Sequence, residues 1–177
     1  TTDWYDQAEK ICLDLYQEEI NACWQEEDYG AALALSKQAI FNLNSAFAYV
    51  AQGYSLWQLD PNNAEQATTS ILRGIELADY PARDGWAYYV LGKVYFETGA
   101  VDKALEVLEK AVMRCHQIYL LKRPDWYDNC LQQLITIYEQ KTKVLLEKQE
   151  YLPLINFLQK AVSLIEEYTN GYVALGY

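Results

Sequence analysis

One spacing, repeated four times, constrains this chain more than anything else in it. Mostly small or aliphatic residues recur four and then three positions apart: Ala32-Ser36-Ala39, Ala67-Ile71-Gly74, Ala104-Leu108-Ala111 and Leu154-Leu158-Ala161. Residues so spaced share one face of an α-helix. Small members on that face let a second helix come close. The last members stand at 39, 74, 111 and 161, giving intervals of 35, 37 and 50 residues. An interval near 35 holds two helices and a turn. One such pair cannot bury its own apolar surface, so copies must stack on each other.

The clearest unit runs from Asp84 to His116. Its first half carries Trp86, Tyr88, Leu91, Gly92 and Tyr95 at helical spacing, then Thr98-Gly99-Ala100 interrupts. Gly99 suits the left-handed residue that ends a helix. The second half presents Ala104, Leu105, Leu108, Ala111 and Val112 on one face, with Asp102 as its expected N-cap. So short a turn folds the two helices back on each other. Gly92 and Ala104 permit their close approach.

The other copies each follow a helical stretch. The first spans about Asp3 to Glu26, with Tyr29-Gly30 expected as its turn. The second spans about Ser45 to Leu59 and stops at Asp60-Pro61-Asn62-Asn63, where Pro61 blocks continuation and Asn62 or Asn63 can cap the next helix. The fourth starts near Asp125, after Pro124, and reaches about Lys148, which absorbs the stretched interval. Tyr80-Pro81-Ala82-Arg83 and Lys122-Arg123-Pro124 are the expected connections, and an apolar tail closes the chain.

Tyr88-x2-Leu91-Gly92-x2-Tyr95, followed by Gly99, Ala104-x3-Leu108 and Ala111, resembles the tetratricopeptide repeat pattern. Tyr88 replaces the usual Trp, and His116 stands where a closing Pro is common. The resemblance covers about 150 residues, looser in the first helices of the other units. It implies an all-α, right-handed superhelix of antiparallel helix pairs, an α-solenoid in a single domain. Its repeats would be 12–44, 45–80, 84–116 and 125–165, the last with an elongated first helix, followed by a tail at 166–177. It further implies that first helices line a concave groove that holds a peptide or partner domain, so the chain is expected to be a scaffold or adaptor rather than an enzyme.

Carried over by register, the groove positions are Trp86, Tyr89, Lys93 and Phe96 in the third unit. They are Phe47, Val50, Tyr54 and Trp57 in the second, and Asp14, Gln17, Asn21 and Trp24 in the first. The expected partner site is therefore Asn21, Trp24, Tyr54, Trp57, Trp86, Tyr89, Lys93 and Phe96. Large aromatics anchor interfaces because they bury much area for few frozen torsions. The same spacing also serves packing between helices, and the tail is a third way to cover the stripe. Members of the family that clamp a carboxylate use Lys and Arg. Here Asn21 matches one clamp position while Gln17, Ala51, Trp86 and Val90 occupy the others, so an apolar or mixed segment fits better.

Composition narrows the alternatives. Net charge is −11, from 14 basic and 25 acidic residues, which opposes nucleic acid and anionic lipid. The chain has a single histidine, His116, expected near a helix end, and no phosphate loop, nucleophile motif or metal-ligand spacing. No cofactor is expected, and no stretch is long and apolar enough to enter a membrane. Cys12, Cys23, Cys115 and Cys130 lie within helical patterns without paired spacing. They read as small buried hydrophobes in a reducing, cytoplasmic compartment. The opening Thr1, with no Met and no signal-peptide pattern, is what a processed or excised piece would present. Two other roles remain: a self-assembly module forming homo-oligomers, and a recruiting domain of a larger enzyme.

Overall fold

A computed structural model describes residues 2–78, 81–118 and 124–165. They form eight α-helices: α1 (Thr2–Gln25), α2 (Tyr29–Leu43), α3 (Ala46–Leu59), α4 (Ala64–Leu77), α5 (Pro81–Glu97), α6 (Val101–Ile118), α7 (Tyr127–Glu147) and α8 (Tyr151–Leu164). No strand occurs among the described residues. Each helix packs against its neighbours in chain order, and α3 also meets α5 and α6 meets α8. The tail at 166–177 and much of the two expected connections lie outside the described residues. Pro81 to Arg83, expected to connect units, instead open α5, since proline is favoured in a first helical turn.

The four expected second helices are α2, α4, α6 and α8, and every residue of the repeated spacing in them is buried. The close approaches are real. A methyl group at Gly92 would lie 2.5 Å from the Leu108 side chain. One at Gly53 would lie 2.6 Å from the Ala67 carbonyl oxygen, and one at Gly74 2.7 Å from that of Ala46.

Three of the four pairs share one turn. In α1/α2, Asp28 N–H donates to Cys23 O at 2.8 Å and Glu27 N–H to Trp24 O at 3.2 Å. In α5/α6, Ala100 donates to Tyr95 O and Gly99 to Phe96 O. In α7/α8, Glu150 donates to Leu145 O and Gln149 to Leu146 O. This is the Schellman pairing, which needs a left-handed residue. Glu27, Gly99 and Gln149 supply it at φ 58°, 79° and 58°. Each stands five residues before the start of the repeated spacing, at Ala32, Ala104 and Leu154. The fourth unit is thus in phase with the third despite its long α7 of 21 residues. The α3/α4 pair departs, turning instead through a 3-10 segment at Pro61–Asn63.

Several local expectations are corrected. The first turn is Glu26-Glu27-Asp28, not Tyr29-Gly30, because Asp28 caps α2 by accepting from Ala31 N at 2.9 Å. Gly30 is an ordinary helical residue. Asn63 precedes α4 without capping it through its side chain. Asp102 lies inside the first turn of α6, where its carboxylate pairs with Lys141 of α7. The bonded Lys141 ammonium holds that carboxyl below its usual range. Cys115 and Cys130 are buried, and burial pushes the Cys130 thiol up, but Cys12 is exposed. The reason is length: Asn42 near the end of α2 bonds the Tyr16 hydroxyl, so the residues of α1 before Tyr16 run past the end of their partner. His116 sits in the last turn of α6, as expected, with Nε2 2.5 Å from the Tyr127 hydroxyl.

The glycine contacts make a paired prediction for urea unfolding. Gly53→Ala and Gly74→Ala should each lose about 1–3 kcal/mol, because forced backbone separation outweighs the better helix propensity. Gly30→Ala, whose methyl would find its nearest neighbour at 3.4 Å, should gain about 0.5–1 kcal/mol.

Candidate functional site

The first helices of the pairs bring their aromatic side chains together. The Trp24 ring of α1 lies 5.0 Å from Tyr54 of α3, edge-on, and 5.8 Å from Trp86 of α5. Phe47 of α3 stacks on Trp86 at 5.6 Å. Tyr89 of α5 stacks on Trp126, just ahead of α7, at 5.8 Å. Offset and edge-on contacts at these separations are the favoured geometries for aromatic pairs. Three first helices and the residue that caps the fourth therefore contribute to one aromatic wall.

The wall is tied to the backbone fold by polar contacts. Trp24 Nε1–H donates to the buried Ser55 hydroxyl at 3.0 Å, which joins α1 to α3. Lys93 of α5 reaches back over α3, with its ammonium 5.7 Å from the Tyr54 ring centre and 5.4 Å from that of Trp57. A cation over these ring faces is attracted by their quadrupoles. Burial pushes the Tyr54 phenol up to about 12, helped by Tyr29, Tyr89 and Glu97, so it is neutral and a donor at neutral pH. Burial raises the Tyr89 phenol too.

Beside the wall opens a cleft of about 470 Å³. Its floor is apolar, from Val50, Gly74 and Ala87, and its sides carry Trp24, Phe47, Trp86 and Trp126. Gln17 and Asn21, one turn apart on α1, give it two amides at the rim. None of the described lining residues carries a charge. Its described lining offers aromatic faces, apolar depth and neutral hydrogen-bonding groups.

Of the expected site residues, Asn21, Trp24 and Trp86 line this cleft together. Tyr54 and Lys93 back the same wall from outside it. Tyr89 extends the wall through Trp126, and Phe96 is half-buried against the core beyond. Trp57 is corrected: at 4% exposed it belongs to the core with Ile71, Leu91 and Val94, whereas Val50, buried in the same core, also reaches the cleft floor. Trp126 was missed by the register alignment, although its position directly after Pro124-Asp125, at the mouth of a helix, marks it as a first-turn residue. Among the described residues no group of three or more His, Cys, Asp or Glu side chains could hold a metal ion, and no helix is long and apolar enough to cross a membrane. No family model matches the chain, and no curated protein matches it.

The Trp24–Ser55 bond carries a prediction. Ser55→Ala should cost about 1 kcal/mol in urea unfolding by stranding the indole N–H. In a double-mutant cycle with Trp24→Phe, the two losses should sum to more than the double variant shows.

Proposed function

We propose that the protein is a helical-repeat binding module of the tetratricopeptide kind, which holds an apolar or mixed segment of a partner protein in the aromatic cleft. The observation that carries this reading is the convergence of Trp24, Phe47 and Trp86, from three alternate helices, on one cleft whose described lining is uncharged. The shared turn of three pairs and the burial of the repeated spacing in all four support a stack of repeats, which in this family would coil in the right-handed sense. In such a stack the first helices would line the inner face, and the ring contacts among α1, α3 and α5 are what neighbouring first helices would make. Gln17 and Asn21 would pair with the backbone of a bound segment while the rings take its apolar side chains. The uncharged described rim fits a peptide without a recognised terminal carboxylate, and the net charge of −11 argues against nucleic acid as ligand.

The test uses rim variants that leave the core alone. Asn21→Glu with Gln17→Glu places two charges at the mouth of an apolar cleft. Partner capture from cell extract, identified by mass spectrometry, should fall by at least about tenfold with the thermal melt unchanged. Equal capture by the variant and the parent protein would contradict the reading.

A second reading, self-assembly, has one observation of its own. Tyr151 and Leu152, at the start of the last described helix, are 60% and 70% exposed. Light scattering distinguishes the two, since assembly through that end makes mass rise with concentration and Leu152→Glu abolish the rise.

A further inference from the structure

The apolar side chains of α1 form two stripes on opposite sides. Ile20 is fully buried and faces α2 and α3, with Trp24 one turn on beside it. Ile11 stands nine residues before Ile20, two and a half turns away, and so points in the opposite direction. With Ile11 go Trp4, Ala8 and Leu15, spaced four, three and four residues apart. Trp4, Ile11 and Leu15 are 70%, 59% and 56% exposed. The alternation of four and three is that of a coiled-coil seam, which meets another helix along its length.

Charge identifies that helix. Residues 1–28 hold nine carboxylates and only Lys10 as a base, which is −8 of the chain's −11. Asp14 lies along one edge of the stripe and Glu19 along the other, Glu18 follows in line seven residues after Ile11, all three are exposed, and Lys10 lies on the far side. Residues flanking a seam select its partner by charge. A second copy docking stripe to stripe would set −8 against −8. The segment 166–177 carries Glu166 and Glu167 and no base, so it brings the same repulsion. Helices that lie on membranes carry several Lys and Arg on the polar face, whereas α1 has Lys10 alone.

We propose that the outer stripe of α1, at Trp4, Ala8, Ile11 and Leu15, is a second interaction surface that takes a basic amphipathic helix of a partner protein. It lies on the opposite side of α1 from the residues that pack on α2 and α3, and it stands whether or not the cleft binds a peptide.

Two labelled model heptad-repeat peptides test this by fluorescence anisotropy on the full chain. Both have Leu at the seam, and one carries Lys and the other Glu at the flanking positions. The Lys peptide should bind at least about tenfold tighter than the Glu peptide, and more weakly as salt rises. Ile11→Ser with Leu15→Ser should weaken it by about tenfold or more with the thermal melt unchanged, because these side chains lie outside the core. Phe41→Ser, at the 90% exposed Phe41 of α2, should change nothing. Equal binding of the two peptides, or full binding by the stripe variant, overturns the proposal. So does a parent dimer in sedimentation that the stripe variant abolishes, or stripe-dependent binding to phosphatidylcholine vesicles.

Discussion

Where α3 meets α4 there is no room for a methyl group. Gly53 faces the backbone carbonyl of Ala67, and Gly74 faces that of Ala46. The α5/α6 pair repeats the arrangement with Gly92 against Leu108. Helices that approach this closely give up side-chain volume at their shared face and gain dense contact along it. With the small residues turned toward the partner helix, the large ones on α1, α3 and α5 are left to meet one another. The aromatic wall and its cleft follow from that division.

The division also explains which parts of the architecture could be read from residues alone. The repeated spacing lies on the second helices, where it faces the neighbouring helices, and all twelve of its members are buried as expected. First helices are harder. Their aromatics satisfy the same periodicity whether they line a cleft or fill a core. Trp24 and Trp57 are both tryptophans at first-helix groove positions, yet one borders the cleft and the other is packed among Ile71, Leu91 and Val94. Only the relative placement of helices distant in sequence decides between them. Trp126 escaped for the same reason, because it lines the cleft from ahead of α7, stacked on Tyr89, rather than from a groove position within its own repeat.

Turns failed in another way. Gly99 was legible because glycine is the ordinary left-handed residue, whereas Glu27 and Gln149 adopt that conformation with side chains that give no warning. The hydrogen bonds of the Schellman turn and the next helix's first turn offset their strain. Gly30 drew attention away from Glu27 for the opposite reason, being a glycine in a place that needs none. The exposure of Cys12 likewise depends on the relative lengths of α1 and α2, which periodicity within either helix cannot give.

The central claim is that alternate helices turn their aromatic side chains onto one shared cleft. Nuclear Overhauser contacts among selectively labelled rings test it most directly. Cross-peaks between Trp24 and Trp86 and between Phe47 and Trp86 are predicted, with Trp57 contacting Ile71 and Leu91 instead. Absence of the Trp24–Trp86 and Phe47–Trp86 contacts in the folded protein would contradict the account, since no cleft could then form between those helices.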